Sequence, residues 1–246
     1  MATYAVILPA AGKSSRFHDK HYKKPFIALG ERAVWLHAVD KFLSRDDVKQ
    51  VLLVISPADL EDFHAKFGAN VAIMGIEVVA GGAERSDSVR NALARVRDEI
   101  DFVAVHDAAR PCLAQEWIDA VFAAAQETGA AILGVPVSST LKRVAADHTI
   151  QTTLPRAHVW EAQTPQVFRR DWLVEAYAQA GPMPASDDAE LVQRLGRPVK
   201  VVLGSPMNLK ITTKDDLRLA ALALKALPKP KLPGPAHPFA DDDLWR

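Results

Sequence analysis

The chain has one cysteine among its 246 residues, Cys112, so no disulfide can form within it and nothing marks it for an oxidising compartment. No run approaches the roughly 18 apolar residues of a membrane-spanning helix. No basic flank precedes a long apolar stretch at the N-terminus, so no signal peptide is expected. Net charge is also missing: 30 Lys and Arg balance 30 Asp and Glu. That balance argues against a general attraction to nucleic acid or an anionic membrane. Aromatic residues make up 7% of the chain, and no internal repeat is found. The eight histidines (His18, His21, His37, His64, His106, His148, His158 and His237) show no metal-ligand spacing and are expected to be structural or superficial. What remains is ordinary for a cytoplasmic globular enzyme: 49% hydrophobic and 24% charged residues, enough for one large domain or two small ones.

Apolar runs of strand length alternate with helical patterns. Strands are expected at Tyr4–Leu8, Gln50–Ile55, Ile76–Ala80, Phe102–Val105, Ala130–Val135 and Val199–Leu203. They are rich in Val, Ile and Leu without polar alternation, as in a parallel sheet buried on both faces. Helices are expected at about 33–44, 86–99, 115–127, 171–180, 187–195 and 215–226, with Ser86 as N-cap of the second and Val89, Leu93 and Val96 on one face. The alternation implies an α/β fold, a mainly parallel sheet sandwiched by helices. Residues 138–155 break the pattern. Their Thr/Val/Ile-rich flanks around Ala-Ala-Asp-His read as a β-hairpin. A lone hairpin is marginal in water, so it packs either on a second subunit or on its own domain. From Pro228 the chain is proline-rich and reads as an extended or disordered tail.

The turn after the first strand, "PAAGKSSRF" (residues 9–17), contains the Gly-Lys-Ser that closes a nucleotide-binding P-loop. A P-loop needs an earlier glycine at position 7, where Ile7 stands inside the strand. The dinucleotide pattern fails as well, since Gly12 has no partner glycine. A turn of small residues (Ala10, Ala11, Gly12) remains, followed by Arg16 and Lys24, in a stretch where five cations face one anion over residues 1–24. Gly12 can take positive φ, and successive N–H groups in such a turn form an anion-binding concavity.

Two further turns also follow strands: "GGAERSDSV" (81–89) and "HDAARP" (106–111). Ligands of open α/β sheets bind beyond the carboxyl ends of the strands. Gly81 and Gly82 allow a flat group such as a nucleobase to approach, and Ser88 could bond its edge. Asp107 suits a ribose hydroxyl or a magnesium ion, and Arg110 offers a fork for phosphate. The same residues also suit helix caps and a buried Asp107–Arg110 pair. Three such turns on one edge favour a site.

Together these residues resemble the 2-C-methyl-D-erythritol 4-phosphate cytidylyltransferases of the non-mevalonate isoprenoid pathway, over roughly residues 3–226. The resemblance is carried by Pro9-Ala10-Ala11-Gly12 with Arg16, by Lys24, "GGAERSDSV", "HDAARP", "PVSSTLKR" (136–143), "QTPQVF" (163–168), Ser186-Asp187 and "NLKIT" (208–212). It implies a Rossmann-like domain over 1–227 with a protruding hairpin arm at 138–158 that forms a homodimer; the proline-rich tail at 228–246 is no part of the resemblance. It implies transfer of CMP from CTP to the methylerythritol phosphate with release of pyrophosphate, and a Mg²⁺ requirement, the ion held mainly by the CTP phosphates with Asp107 a possible ligand. Arg16 and Lys24 match the cations that stabilise the transition state. Lys210 and Arg156 match the pair that positions the sugar-phosphate, the arginine coming from the partner's arm. Pro9, Ala10, Ala11, Gly12, Gly82, Ser88, Asp107 and Ala108 match nucleotide positions. Asp107, Arg110, Thr140, Thr164 and Ser186 match substrate contacts, with Thr140 and Thr164 reaching across the interface.

The chain departs from that pattern at four points. Ser14 replaces a common second glycine, and one extra residue between Arg16 and Lys24 lets Lys23 compete with Lys24. Ala83 and Met207 replace frequently acidic residues, and Met207 lies near the sugar-phosphate site. The rivals are a cytidylyltransferase for another polyol phosphate such as ribitol 5-phosphate, a nucleotidyltransferase using UTP or GTP, and a non-catalytic nucleotide-binding protein.

Overall fold

The computed structural model describes residues 1–12, 26–181 and 183–228. The chain opens with β1 (Tyr4–Pro9), whose side chains alternate between two core layers: Tyr4, Val6 and Leu8 point one way, Ala5 and Ile7 the other. Each large side chain buried this way contributes roughly 1.5–3 kcal/mol. A short ladder of β2 (Ala28–Leu29) and β3 (Arg32–Ala33) leads into α1 (Val34–Leu43), followed by β4 (Val48–Ile55), α2 (Leu60–Met74), β5 (Glu77–Ala80), α3 (Arg85–Leu93), β6 (Phe102–Val105), α4 (Gln115–Thr128) and β7 (Ala130–Pro136). Then come β8 (Leu141–Val144) and β9 (Ile150–Leu154), β10 (Trp160–Arg169), α5 (Arg170–Ala178), α6 (Asp188–Arg194), β11 (Lys200–Leu203) and α7 (Lys214–Ala226).

The main sheet has seven strands in the order β11-β7-β10-β6-β1-β4-β5. Only β10 runs against its neighbours, pairing antiparallel with β6 and β7. One face packs Trp35, Phe42, Phe63, Trp117 and Ile118 from α1, α2 and α4. The other packs Val89, Leu93, Leu173 and Leu191 from α3, α5 and α6. The expected α/β sandwich is therefore present, and the carboxyl ends of β1, β4, β5, β6, β7 and β11 share one edge.

All six expected strands exist, Phe102–Val105 with its expected bounds and the other five with an end shifted by one or two residues. Two main elements are not among the expected ones. β10 carries Gln163, Thr164 and Gln166, which are buried but polar, and Pro165 within a register shift between Ala162 and Gln166. A bulge is where a strand tolerates proline. α2 buries only Phe63, Phe67 and Val71, a narrow stripe, and ends on Gly75 in the left-handed conformation. One cap differs from expectation: Ser86 lies inside α3, and Glu84 is the N-cap, its N–H donating to Asp87 Oδ2 at 3.2 Å. The helix ends at Leu93: the Ala94 N–H still bonds the Arg90 carbonyl, but the Arg95 and Val96 N–H groups bond carbonyls three residues back, in tighter turns.

The expected hairpin is β8 paired antiparallel with β9, closed by the turn at 145–149. The tail at 229–246 lies outside the described residues. Among the described residues no helix is long and apolar enough to cross a membrane.

Candidate active site

β6 delivers the chain to His106-Asp107-Ala108-Ala109-Arg110 at the sheet edge. Asp107 is buried, and three cations surround its carboxylate. Lys210 Nζ lies 2.8 Å from Oδ2, Arg110 Nε 3.5 Å from Oδ2, and Arg85 Nε 3.7 Å from Oδ1. Burial pushes this carboxyl up, but Lys210, Arg85 and Arg110 together outweigh it and hold it well below the usual carboxylate range. Arg85 also binds the fully buried Asp188, so three cations meet two carboxylates in one cluster.

The Asp107 turn is fixed from beneath. His106 Nε2 faces the Arg110 carbonyl at 3.0 Å, and its Nδ1 faces Thr164 Oγ1 at 3.1 Å. A carbonyl only accepts, so Nε2 carries the proton. Burial lowers the imidazole to about 4, so the ring is neutral and Nδ1 accepts the Thr164 hydroxyl proton. Thr164 Oγ1 in turn accepts from the Asp107 N–H at 3.0 Å. Thr164, expected to touch substrate across an interface, is buried here and engaged within its own chain.

Lys210 reaches Asp107 because the loop after β11 is stitched down. Gln163 Nε2 donates to the Ser205 carbonyl at 2.8 Å, Asn208 Nδ2 to the Thr164 carbonyl at 2.8 Å, and Arg110 Nη1 to the Asn208 carbonyl at 2.7 Å. The Ile211 N–H closes the loop on the Ala109 carbonyl at 2.9 Å. A Cβ on Gly204 would collide with Gln163 Oε1. Arg110 is thus largely a brace for this loop. Met207 is half-buried and packs against the main core.

The first two turns meet. A Cβ on Gly81 would lie 2.7 Å from Ala11 Cβ and 2.9 Å from Ser88 Oγ, and one on Gly82 would collide with Asp87 Cβ. The glycine pair therefore lets the turn lie on the start of α3 and against Ala11. Ser88 Oγ accepts from the Gly82 N–H at 3.1 Å and donates to the Glu84 carbonyl at 3.1 Å, which fixes the turn. Gly12, which can take positive φ, is not among the residues that do so. Among the described residues a Cβ there would meet nothing. Pro9 and Ala108 join the two turns through an Ala108 N–H bond to the Pro9 carbonyl at 3.4 Å. The Ala10 N–H is bonded to the Val54 carbonyl at 2.9 Å.

The structure brings Pro9–Gly12, Gly82, Ser88, Asp107, Ala108, Arg110, Thr164 and Lys210 to one edge. Ser186 is exposed near the start of α6, its N–H donating to Glu190 Oε2 at 2.7 Å. Thr140 and Arg156 are exposed on the arm, where the guanidinium bonds the Ser138 carbonyl. Ser14, Arg16, Lys23 and Lys24 lie outside the described residues. Periodicity gave no sign of Arg85, Asp188, Gln163 or Asn208. Arg85 sits inside the glycine turn's own motif, and the paired Asp187-Asp188 reads as a helix cap. Asp187 does serve as that cap, accepting the Glu190 N–H at 2.9 Å, while Asp188 does not.

A divalent ion does not fit Asp107 as arranged, because its oxygens already face cations. Among the described residues no group of three or more His, Cys, Asp or Glu could hold a metal.

The family model that matches residues 4–226 is that of 2-C-methyl-D-erythritol 4-phosphate cytidylyltransferase. The protein of that name from Rhodopirellula baltica is 43% identical, covering 91% of this chain and 95% of its own. The one from Pelotomaculum thermopropionicum is 40% identical, covering 92% and 96%. The crystal structure of the Thermus thermophilus protein of that name superposes with a TM-score of 0.75 at 31% identity, covering 92% of this chain and 100% of that one.

Proposed function

The chain belongs to the 2-C-methyl-D-erythritol 4-phosphate cytidylyltransferase family, and we infer that it transfers the cytidylyl group of CTP to 2-C-methyl-D-erythritol 4-phosphate, giving 4-diphosphocytidyl-2-C-methyl-D-erythritol and pyrophosphate. A phosphate oxygen of the acceptor bonds to the α-phosphorus of CTP. The bridging P–O bond to the β-phosphate breaks, and its electron pair leaves with pyrophosphate. The nucleophile is already an anion, so no general base is required, and the protein's task is positioning and charge neutralisation. The observation that carries this reading is the Lys210–Asp107–Arg85 cluster at the carboxyl edge of the sheet, with excess positive charge, in a chain matched to the family along nearly its whole length.

In this reading Pro9–Gly12, Gly82, Ser88 and Ala108 line the nucleotide, and Asp107 takes a ribose hydroxyl. Arg16 and Lys24 neutralise the leaving pyrophosphate. Lys210 and Ser186 meet the acceptor, Arg110 and Thr164 hold the Asp107 turn, and Mg²⁺ enters as part of the substrate on the triphosphate. Arg156 and Thr140 act from the arm of a second copy in a homodimer. Supporting this, the arm and the adjoining edge leave apolar side chains in water: Ile150 is 60% exposed, Leu203 63% and Trp160 42%. A second copy would cover such exposed apolar side chains, and a two-stranded hairpin needs a surface to pack on. The buried Cys112, its thiol pushed up to about 12 by burial, suits a reducing cytoplasm.

The test is pyrophosphate release with CTP and Mg²⁺, offering methylerythritol phosphate and ribitol 5-phosphate side by side. Preference for methylerythritol phosphate is expected. Preference for ribitol 5-phosphate would move the substrate, with Met207 the first residue to examine. Release with neither would overturn the catalytic reading. Sedimentation showing a monomer at working concentrations would remove Arg156 and Thr140 from the site.

A further inference from the structure

Arg85 stands between two carboxylates. Its Nη2 donates to Asp188 Oδ2 at 2.7 Å, while its Nε stays 3.7 Å from Asp107 Oδ1. Asp188 is fully buried at the first position of α6, and its other oxygen accepts from Tyr177 Oη at 2.5 Å. A buried carboxylate is tolerated only when its oxygens are satisfied, and here a cation takes one and a phenol the other. The start of α6 is itself anchored to β10. Gln166 Nε2 donates to Asp187 Oδ2 at 2.7 Å, and Gln166 Oε1 accepts from the Ala189 N–H at 3.1 Å. The contacts Tyr177–Asp188–Arg85–Asp107–Lys210 therefore tie α5 and α6 to the site edge.

The long side of this chain is the informative one. A guanidinium free to choose closes on a neighbouring carboxylate at about 2.7–2.9 Å, often with two bonds. Arg85 does not close on Asp107. Arg110 does not either, since its Nη1 is engaged with the Asn208 carbonyl. Among the described residues no hydrogen bond closes on Asp107 Oδ1, and Lys210 alone bonds Oδ2 from a side chain at 2.8 Å.

We propose that Asp188, seated by Tyr177, is a positioning residue for the transfer reaction: by engaging Arg85 it keeps that guanidinium off Asp107 Oδ1 and leaves this oxygen open to a hydroxyl of the bound nucleotide. The inference rests on the reading of the site given above. Removing the Asp188 charge lets Arg85 swing onto Asp107 and occupy the acceptor.

The experiment is steady-state kinetics on the full chain with CTP, Mg²⁺ and methylerythritol phosphate. Asp188→Asn should raise KM for CTP on the order of tenfold, the loss of one hydrogen bond to a charged group, with kcat changed far less. Tyr177→Phe should move KM the same way by a smaller factor, and it decides the matter if Asp188→Asn does not fold. The double variant Arg85→Met/Asp188→Asn lacks the guanidinium that faces Asp107 Oδ1, so its KM should fall below that of Asp188→Asn alone. A purely structural Asp188 would lower Tm with KM for CTP unchanged. That result, or a double variant no better than the single, overturns the proposal. If the wild type forms no product, the functional reading falls first, and the clamp is decided in the ligand-free protein. Non-additive Tm shifts for Asp107→Asn and Asp188→Asn would keep it, and additive shifts would discard it.

Discussion

Replacing Asp107 by asparagine keeps its shape and deletes its charge, and the structure says which neighbour suffers. Lys210 is 42% exposed and can turn into water. Arg85 retains Asp188. Arg110 cannot escape: its side chain is 12% exposed and, among the described residues, its Nε has no hydrogen-bond partner and its Nη1 donates to the Asn208 carbonyl. Stranding one member of a buried pair costs about 3–5 kcal/mol. With two of three cations able to relax, about 2–3 kcal/mol is expected here, a Tm lowered by about 4–12 °C for a chain of this size. Burial raises the Asp107 carboxyl, and Lys210, Arg85 and Arg110 more than reverse it. Its folded-state value therefore lies below the unfolded one. The contribution is complete above the ordinary carboxylate range and lost only as pH falls through the depressed folded-state value. The Tm gap between wild type and Asp107→Asn should thus stay constant from about pH 5 to 8. Thermal denaturation measures both. Adding Arg110→Met removes the stranded charge, so the double variant should melt above Asp107→Asn. A single variant melting within about 1 °C of wild type, or a double variant melting lower still, would refute the argument.

Three other outcomes are expected. Burial lowers His106 to about 4 from an ordinary value near 6.5, so the neutral ring carries no penalty above about pH 6.5, and the need to keep it uncharged costs the fold up to about 3 kcal/mol as pH falls toward 4. His106→Gln should be less stable at pH 7, with a flatter stability profile between pH 4 and 6.5 in denaturant titrations. Gly82→Ala and Gly129→Ala should both melt lower, since a Cβ would strike Asp87 in one case and the Trp172 ring in the other, and only Gly82→Ala should raise KM for CTP. Lys24→Ala should reduce single-turnover rates by about 10²–10³ while Lys23→Ala reduces them by less than about tenfold, and the reverse order would reassign the lysine.

Much of the scaffold is legible in the sequence because of how it is buried. β1 and β6 lie in apolar surroundings on both faces, so their residues form unbroken apolar runs. The hairpin betrays itself through β-branched residues around a polar turn. β10 is illegible for the opposite reason. It lies in the middle of the sheet, yet it carries Gln163, Thr164 and Gln166, whose polar groups are satisfied by Ser205, Asp107, His106, Asp187 and Ala189. Those hydrogen bonds depend on partners distant in the chain, and no local period announces them. Lys210 beside Asp107 is legible through the family motifs alone, since nothing local to either residue specifies the other.

The same strand shows why the site and the unexpected part of the fold coincide. An antiparallel strand set among parallel ones brings its amino end to the edge where the others finish, so Gln163 and Thr164 of β10 arrive beside the turns that follow β6 and β11. An apolar strand there would bury the edge and leave the carbonyl of Ser205 and the N–H of Asp107 without partners, each costing about 1–3 kcal/mol. The polar strand satisfies them, and in doing so it fixes the two turns that carry Asp107 and Lys210. Its other buried polar residue, Gln166, holds the start of α6 and so the carboxylate that competes for Arg85. The residues that make β10 unreadable as a strand are therefore the ones that give the charged cluster its geometry.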